Sequence, residues 1–221
     1  MPNLKKLWIN YNRDTMKYKQ ANICVALTGA SGVQYALRLL ECLIEADETV
    51  YVLVSQPAQI VIDMETDLAL PSRPADMQQF LTDYFGAEPD QIQVFGKEQW
   101  TAPVASGTGV PRAMVVCPCT TGTLAAIACG SSNNLIERAA DVVIKENKSL
   151  ILVPRESPFS VIHLENMLKL ARIGVTILPP NPGFYYQPET IEDMIDFVVA
   201  RILDQLDVEH NLLPRWGLDD E

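Results

Sequence analysis

The sequence predicts an α/β fold: a single Rossmann-like (flavodoxin-like) domain, a parallel sheet with helices on both faces. Three observations carry this. Short apolar runs alternate with segments whose apolar residues recur at helical spacing. The runs are apolar throughout, as strands covered on both faces must be. Small and hydroxyl-bearing residues follow them, at the strand ends where such sheets bind ligands.

Residues 22–28 form the first apolar run, closed by Gly29-Ala-Ser-Gly32. Val33, Ala36, Leu37, Leu40, Leu43 and Ile44 then recur at helical spacing, giving strand, glycine turn and helix. Residues 49–55, rich in β-branched and aromatic side chains, read as the second strand. A helix from about Pro57 to Glu65 follows, with proline at its start, where a missing N–H costs least. Pro71 and Pro74 break the chain before an amphipathic helix over 75–85 and a short strand over 92–95. Residues 100–111, with Ser106-Gly-Thr-Gly109, are a loop by composition. Residues 113–117 form a buried strand that stops at Pro118, and Thr120-Thr-Gly-Thr123 opens an Ala-rich helix to Cys129. A helix from Asn133 to about Asn147 holds Arg138 and Lys145. A strand over 150–153 ends in Pro154-Arg-Glu156, a helix spans 160–172, a strand 175–178, and a proline-rich loop runs to Pro188. In the last helix Glu189, Glu192 and Asp193 complement the N-terminal dipole, while Ile195, Val198, Val199, Ile202 and Leu206 make one face.

The 221 residues suit one domain, and 48% hydrophobic content suits a full core. Residues 1–20, with Lys5, Lys6, Arg13, Asp14, Lys17 and Lys19 and no apolar stretch, read as a tail rather than a secretory signal, leaving residues 21–221 as the domain. Acidic side chains outnumber basic ones 28 to 17, a net charge of −11 that argues against binding nucleic acid. No window has the apolar length of a membrane span. The cysteines, Cys24, Cys42, Cys117, Cys119 and Cys129, make no C-x-x-C, and the two histidines are His163 and His210, so a Cys/His zinc site is not expected. Cys24, Cys117 and Cys129 sit in apolar runs and read as small buried hydrophobes of a reducing cytoplasm.

The strand ends offer Gly29–Gly32, Ser55, Cys119–Thr123, Arg155–Glu156 and Phe184–Tyr186. Gly29-Ala-Ser-Gly32 places free N–H groups at a helix N-terminus, an anion site. The third glycine of a dinucleotide fingerprint is missing, and the second strand ends in Ser55 rather than the acid that would hold an adenosine ribose, which weighs against NAD. Thr120-Thr-Gly-Thr123 adds a second cluster of hydroxyls and amides at a neighbouring strand end. Arg155 can fork onto a phosphate or carbonyl oxygen, and Glu156 beside it could shuttle a proton. Taken alone, Lys145 and Arg201 are ordinary helix charges, and no nucleophile–base pair is visible. The residues alone thus define a mononucleotide- or flavin-binding α/β protein without fixing a reaction.

Several segments go further. Leu27-Thr-Gly-Ala-Ser-Gly-Val-Gln-Tyr35 and Met64-Glu-Thr-Asp67 resemble the flavin prenyltransferases of the UbiX family. So do Val116-Cys-Pro-Cys-Thr-Thr-Gly-Thr-Leu124, Asn134-Leu-Ile-Glu-Arg-Ala-Ala-Asp141 and Leu152-Val-Pro-Arg-Glu-Ser-Pro158. His163-Leu-Glu-Asn-Met167, Pro182-Gly-Phe-Tyr-Tyr186 and Pro214-Arg-Trp216 continue the resemblance in order, over about residues 22–217. It implies a flavin-binding Rossmann-like domain in a cytoplasmic homo-oligomer, typically a dodecamer, with active sites at subunit interfaces. It further implies a metal-independent transfer of the dimethylallyl group of dimethylallyl monophosphate to N5 and C6 of reduced FMN. The product, prenylated FMN, would serve a UbiD-type decarboxylase, for example in ubiquinone biosynthesis.

Carried over by residue, the resemblance assigns FMN to Gly29, Ala30, Ser31, Ser55, Thr120, Thr121, Gly122, Thr123 and Arg155. It assigns the substrate phosphate to Tyr185, Arg201 and Lys145, with Arg138 helping. Glu156 falls where protons are handled around the departing phosphate, Glu65 is a further active-site acid, and Ser31 joins that relay. Trp100 and Trp216 are aromatic rings that could face an allylic cation or a subunit contact. Two rivals share the flavin expectation: a cysteine decarboxylase of the phosphopantothenoylcysteine type, which needs an active-site histidine, and a non-catalytic flavin carrier, which needs no phosphate site.

Overall fold

The structure, a computed structural model, describes residues 23–214, so the predicted tail over 1–20 and Trp216 lie outside the described residues. Among the described residues six strands make one sheet: β1 (Ile23–Leu27), β2 (Val50–Val54), β3 (Ile92–Phe95), β4 (Ala113–Cys119), β5 (Ser149–Pro154) and β6 (Thr176–Ile177). Their order is β3-β2-β1-β4-β5-β6, and every pairing is parallel. This is the doubly wound Rossmann order, which reverses direction between β1 and β4 and opens a crevice there.

Side chains alternate across the pleat. Ile23, Val25, Leu27, Val50, Val52, Val115 and Ile151 face one side, beneath α1 (Val33–Glu45), α2 (Gln56–Glu65), α3 (Pro74–Phe85) and α7 (Ile191–Gln205). Cys24, Ala26, Tyr51, Leu53, Met114, Val116 and Leu152 face the other, beneath α4 (Thr121–Ala128), α5 (Leu135–Lys145) and α6 (Val161–Ala171). Both faces are covered, which is why the strands carry no polar alternation. Helix α7 also packs along α1, where Arg38 pairs with Asp196 at 2.7 Å. Among the described residues no helix is long and apolar enough to cross a membrane.

Three expectations change. β4 does not stop at Pro118 but runs to Cys119 through a register shift between Val116 and Cys119. Proline offers no N–H to the ladder, yet its carbonyl still accepts, from both the amide and the hydroxyl of Thr28. The loop over 100–111 holds two 3₁₀ turns, Pro103–Ala105 and Gly107–Gly109. Cys129 is exposed rather than buried, because it caps the C-terminus of α4 beyond the helix's apolar face; the other cysteines are buried.

Candidate active site

The C-terminal strand ends gather most of the sequence-predicted site. The turn from β1 to α1 lies so close to α2 that a Cβ on Gly29 would stand 2.4 Å from the Pro57 Cβ, so only glycine fits. Gly32 takes φ 102° and, as the N-cap of α1, has no side chain with which to cap it. Glu65, at the end of α2, supplies the cap instead: its Oε2 accepts from the Gly32 amide at 2.9 Å and from the Val33 amide at 3.2 Å. The α1 N-terminus is therefore not the free anion site expected from Gly29-Ala-Ser-Gly32, because a carboxylate of the same chain already serves it.

Burial alone would raise the Glu65 pKa. Hydrogen bonds from the Ser31 hydroxyl and the two amides, with the charge of Arg155, outweigh this and hold the carboxyl below its ordinary value. Ser31, Glu65 and Arg155 thus form one polar cluster. Because the folded pKa is depressed, the stabilisation is complete above the unfolded carboxyl's pKa of about 4.3 and is lost as pH falls through the lower folded value. Glu65→Gln keeps an acceptor oxygen for the two amides but removes the charge, and is expected to cost about 0.5–1 kcal/mol of unfolding free energy at pH 7, the worth of a carboxylate at a helix N-terminus. Urea titrations should show that penalty shrinking below about pH 4. A penalty constant from pH 7 to pH 3 would mean that the charge is not what holds the turn.

Thr28, buried at the end of β1, ties the crevice together. Its Oγ1 donates to the Pro118 carbonyl at 2.7 Å and accepts from the Thr120 amide at 2.8 Å. That one hydroxyl fixes the glycine turn against the threonine cluster. Three further helix N-termini meet here, each with its own cap. Ser55 Oγ accepts from the Ala58 amide to cap α2, and Thr120 Oγ1 accepts from the Thr123 amide to cap α4. Asn134 Oδ1 accepts from the Glu137 amide to cap α5. All three caps line a cavity of about 360 Å³, together with Gly29, Thr123, Phe95, Leu53 and Lys97. Its size suits a small ligand, and its donors suit an anionic one. Leu53 and Phe95 give it apolar wall.

Arg155 and Glu156 follow β5, and Glu156 Oε1 is steadied by the Ser157 amide at 3.1 Å. Cys119, fully buried beside them, has its thiol pushed up to about 12 by burial, with a backbone hydrogen bond opposing, which removes it as a nucleophile. Neither histidine reaches the cavity. His163 completes the capping box of α6, its Nδ1 accepting from the Ser160 amide, and His210 contacts Asp204 near the end of α7. The histidine that a cysteine decarboxylase would need is therefore not in place.

The four residues expected on the substrate phosphate are split by the sheet. Arg138 and Lys145 lie on α5; Arg138 donates to the Ala105 carbonyl and pairs with Asp141 at 2.7 Å, and Lys145 pairs with Glu146. Tyr185 and Arg201 lie on the opposite side, lining a separate cavity of about 650 Å³ on the outer side of α7 with Tyr186, Phe197 and Asp204, to which Arg201 pairs. Tyr185 is 75% exposed. One chain does not bring the two pairs together. Trp100 is half-exposed on the loop before the 3₁₀ turns.

Sequence reasoning missed Thr28, Lys97 and Asn134. Lys97 follows the third predicted strand, so inspecting that strand end like the others would have found it. Asn134 with Glu137 has the N-cap spacing of a capping box. Thr28 carries no local signal, since both its partners lie about ninety residues away.

Fold and cavity define a mononucleotide-binding α/β protein of the flavoprotein type. The chain matches the flavoprotein family over residues 11–203. It is 60% identical over 195 residues to the flavin prenyltransferase UbiX of Pseudomonas aeruginosa, covering 88% of this chain and 93% of that one. Two crystal structures are similar throughout. AnUbiX (PadA1), in complex with FMN and dimethylallyl pyrophosphate, has 37% identity and a TM-score of 0.79 over 90% of this chain and 98% of that one. The dodecameric FMN-dependent Ubix-like decarboxylase of Escherichia coli O157:H7 has 39% identity and a TM-score of 0.76 over 88% and 98%. The chain belongs to the UbiX family of flavin prenyltransferases.

Proposed function

We propose that this protein transfers the dimethylallyl group of dimethylallyl monophosphate to reduced FMN without a metal, and that its product, prenylated FMN, goes to a UbiD-type decarboxylase. The observation that carries the reading is the convergence of three helix N-termini on one cavity beside the Ser31–Glu65–Arg155 cluster. FMN, when bound, supplies the nucleophilic N5 and C6 positions. Gly29, Ala30, Ser31, Ser55, Thr120, Thr121, Gly122, Thr123 and Arg155 hold it. Amides and hydroxyls fixed by their own caps are preorganised donors that need no rearrangement to receive a charged group.

Loss of phosphate from an allylic carbon leaves a cation and an anion. Lys145, Arg138, Arg201 and Tyr185 stabilise the anion, and Glu156 handles a proton at the departing oxygen. Ser31 and Glu65 extend that proton path. Because Arg138 and Lys145 stand across the sheet from Tyr185 and Arg201, a second copy of the chain completes the phosphate site. The outer face of α6 suits contact between copies, since Val161, Ile162, Leu164 and Leu168 are each more than half exposed. A homo-oligomer, of twelve chains as in the E. coli relative, and a place in the cytoplasm and in ubiquinone biosynthesis belong to the same reading.

The test is anaerobic incubation of the protein with reduced FMN and dimethylallyl monophosphate, followed by mass measurement of the released flavin. A flavin heavier by one C5 prenyl unit is expected. Flavin of unchanged mass would contradict the transferase.

A further inference from the structure

We propose that Lys97 is a further flavin-binding residue, a cation that selects for the phosphate of FMN. The inference rests on the flavin reading above and goes beyond the residues assigned there. Among the described residues Lys97 is the one ionisable side chain lining the 360 Å³ cavity; the other described lining residues are apolar or neutral polar. That cavity receives the N-termini of α2, α4 and α5 through Ser55, Thr120 and Asn134. Each terminus contributes a partial positive charge, and together they favour an anion. Of the two ends of FMN, the ring is neutral and the phosphate dianionic, so the phosphate belongs among these termini.

The position of Lys97 is built rather than incidental. It follows β3 directly after Gly96, and its own carbonyl accepts from the Leu135 amide at 2.8 Å, which fastens the loop to the start of α5. Among the described residues no carboxylate pairs with its ammonium. Arg138, Lys145 and Arg201, by contrast, each have a carboxylate partner within the chain. In a protein of net charge −11, an uncommitted cation at the mouth of a donor-lined cavity also draws an anionic ligand toward it. The side chain is exposed, so it acts as a flexible point charge on the phosphate rather than as a buried clamp.

The experiment compares equilibrium binding of FMN and riboflavin, which differ by the phosphate alone, to wild-type protein, Lys97→Gln and Lys97→Arg at low and moderate salt. Lys97→Gln should weaken FMN about five- to tenfold and leave riboflavin unchanged. Lys97→Arg should keep most of the FMN affinity, and the salt dependence of FMN binding should flatten in Lys97→Gln. Equal weakening of both flavins would make Lys97 a structural residue and overturn the inference, as would unaltered FMN binding. Wild-type protein that binds FMN with the same Lys97→Gln value refutes only this assignment; wild-type protein that binds neither flavin refutes the flavin reading and this inference together.

Discussion

Glu156→Gln is expected to slow prenyl transfer by about 100-fold or more while FMN binding stays within about twofold, because a positioned proton donor or acceptor contributes 10² to 10⁴. Gln keeps the shape and the hydrogen bond from the Ser157 amide but can neither give nor take the proton. Glu156 stands at the end of β5, beside Arg155, whose charge reaches the Ser31–Glu65 pair, so the loss falls on proton handling rather than on the fold. Single-turnover formation of prenylated flavin, measured with the flavin already bound, separates the two effects. An unaltered rate would remove Glu156 from the mechanism.

Arg201→Ala and Lys145→Ala should each reduce turnover about 10- to 100-fold at low dimethylallyl monophosphate, chiefly as a raised KM, since a hydrogen bond to a charged group is worth about 1.5–3 kcal/mol. FMN affinity should hold. Both side chains are about half exposed, and losing their surface pairs with Asp204 and Glu146 costs at most about 1 kcal/mol of stability, so a folding defect does not account for the loss. Equal losses of FMN binding and of turnover would contradict the separation of flavin from phosphate residues.

The sheet was legible because its strands are short apolar runs: β3 falls where the sequence placed it, over 92–95, and β1 and β2 agree within a residue or so of the predicted runs. The end of β4 was not legible, since a proline normally argues against a strand interior, and only the distant Thr28 shows what its carbonyl is doing there. The β6 strand, Thr176–Ile177, is shorter than its apolar run over 175–178, since its ladder with β5 holds only the pairs Ile151–Thr176 and Leu152–Ile177. Ser55 and Thr120 were visible as strand-end hydroxyls. The cap that Glu65 places on α1 was not, because its partners lie more than thirty residues back and no local pattern links them. Periodicity also shows which side of a helix is apolar but not which face of the sheet it covers. It therefore could not reveal that α5 and α7 carry their cations to opposite sides.

That separation gives the most direct test of a phosphate site completed by a second copy. Lys145→Ala and Arg201→Ala chains, each slowed about 10- to 100-fold alone at low dimethylallyl monophosphate, are co-expressed so that they share one assembly, and prenylated flavin is measured by mass at that low substrate concentration. Sites pairing an intact Lys145 from one copy with an intact Arg201 from another should form, and the mixture should make product far faster than either variant alone. A mixture no more active than its components would contradict a site built across subunits.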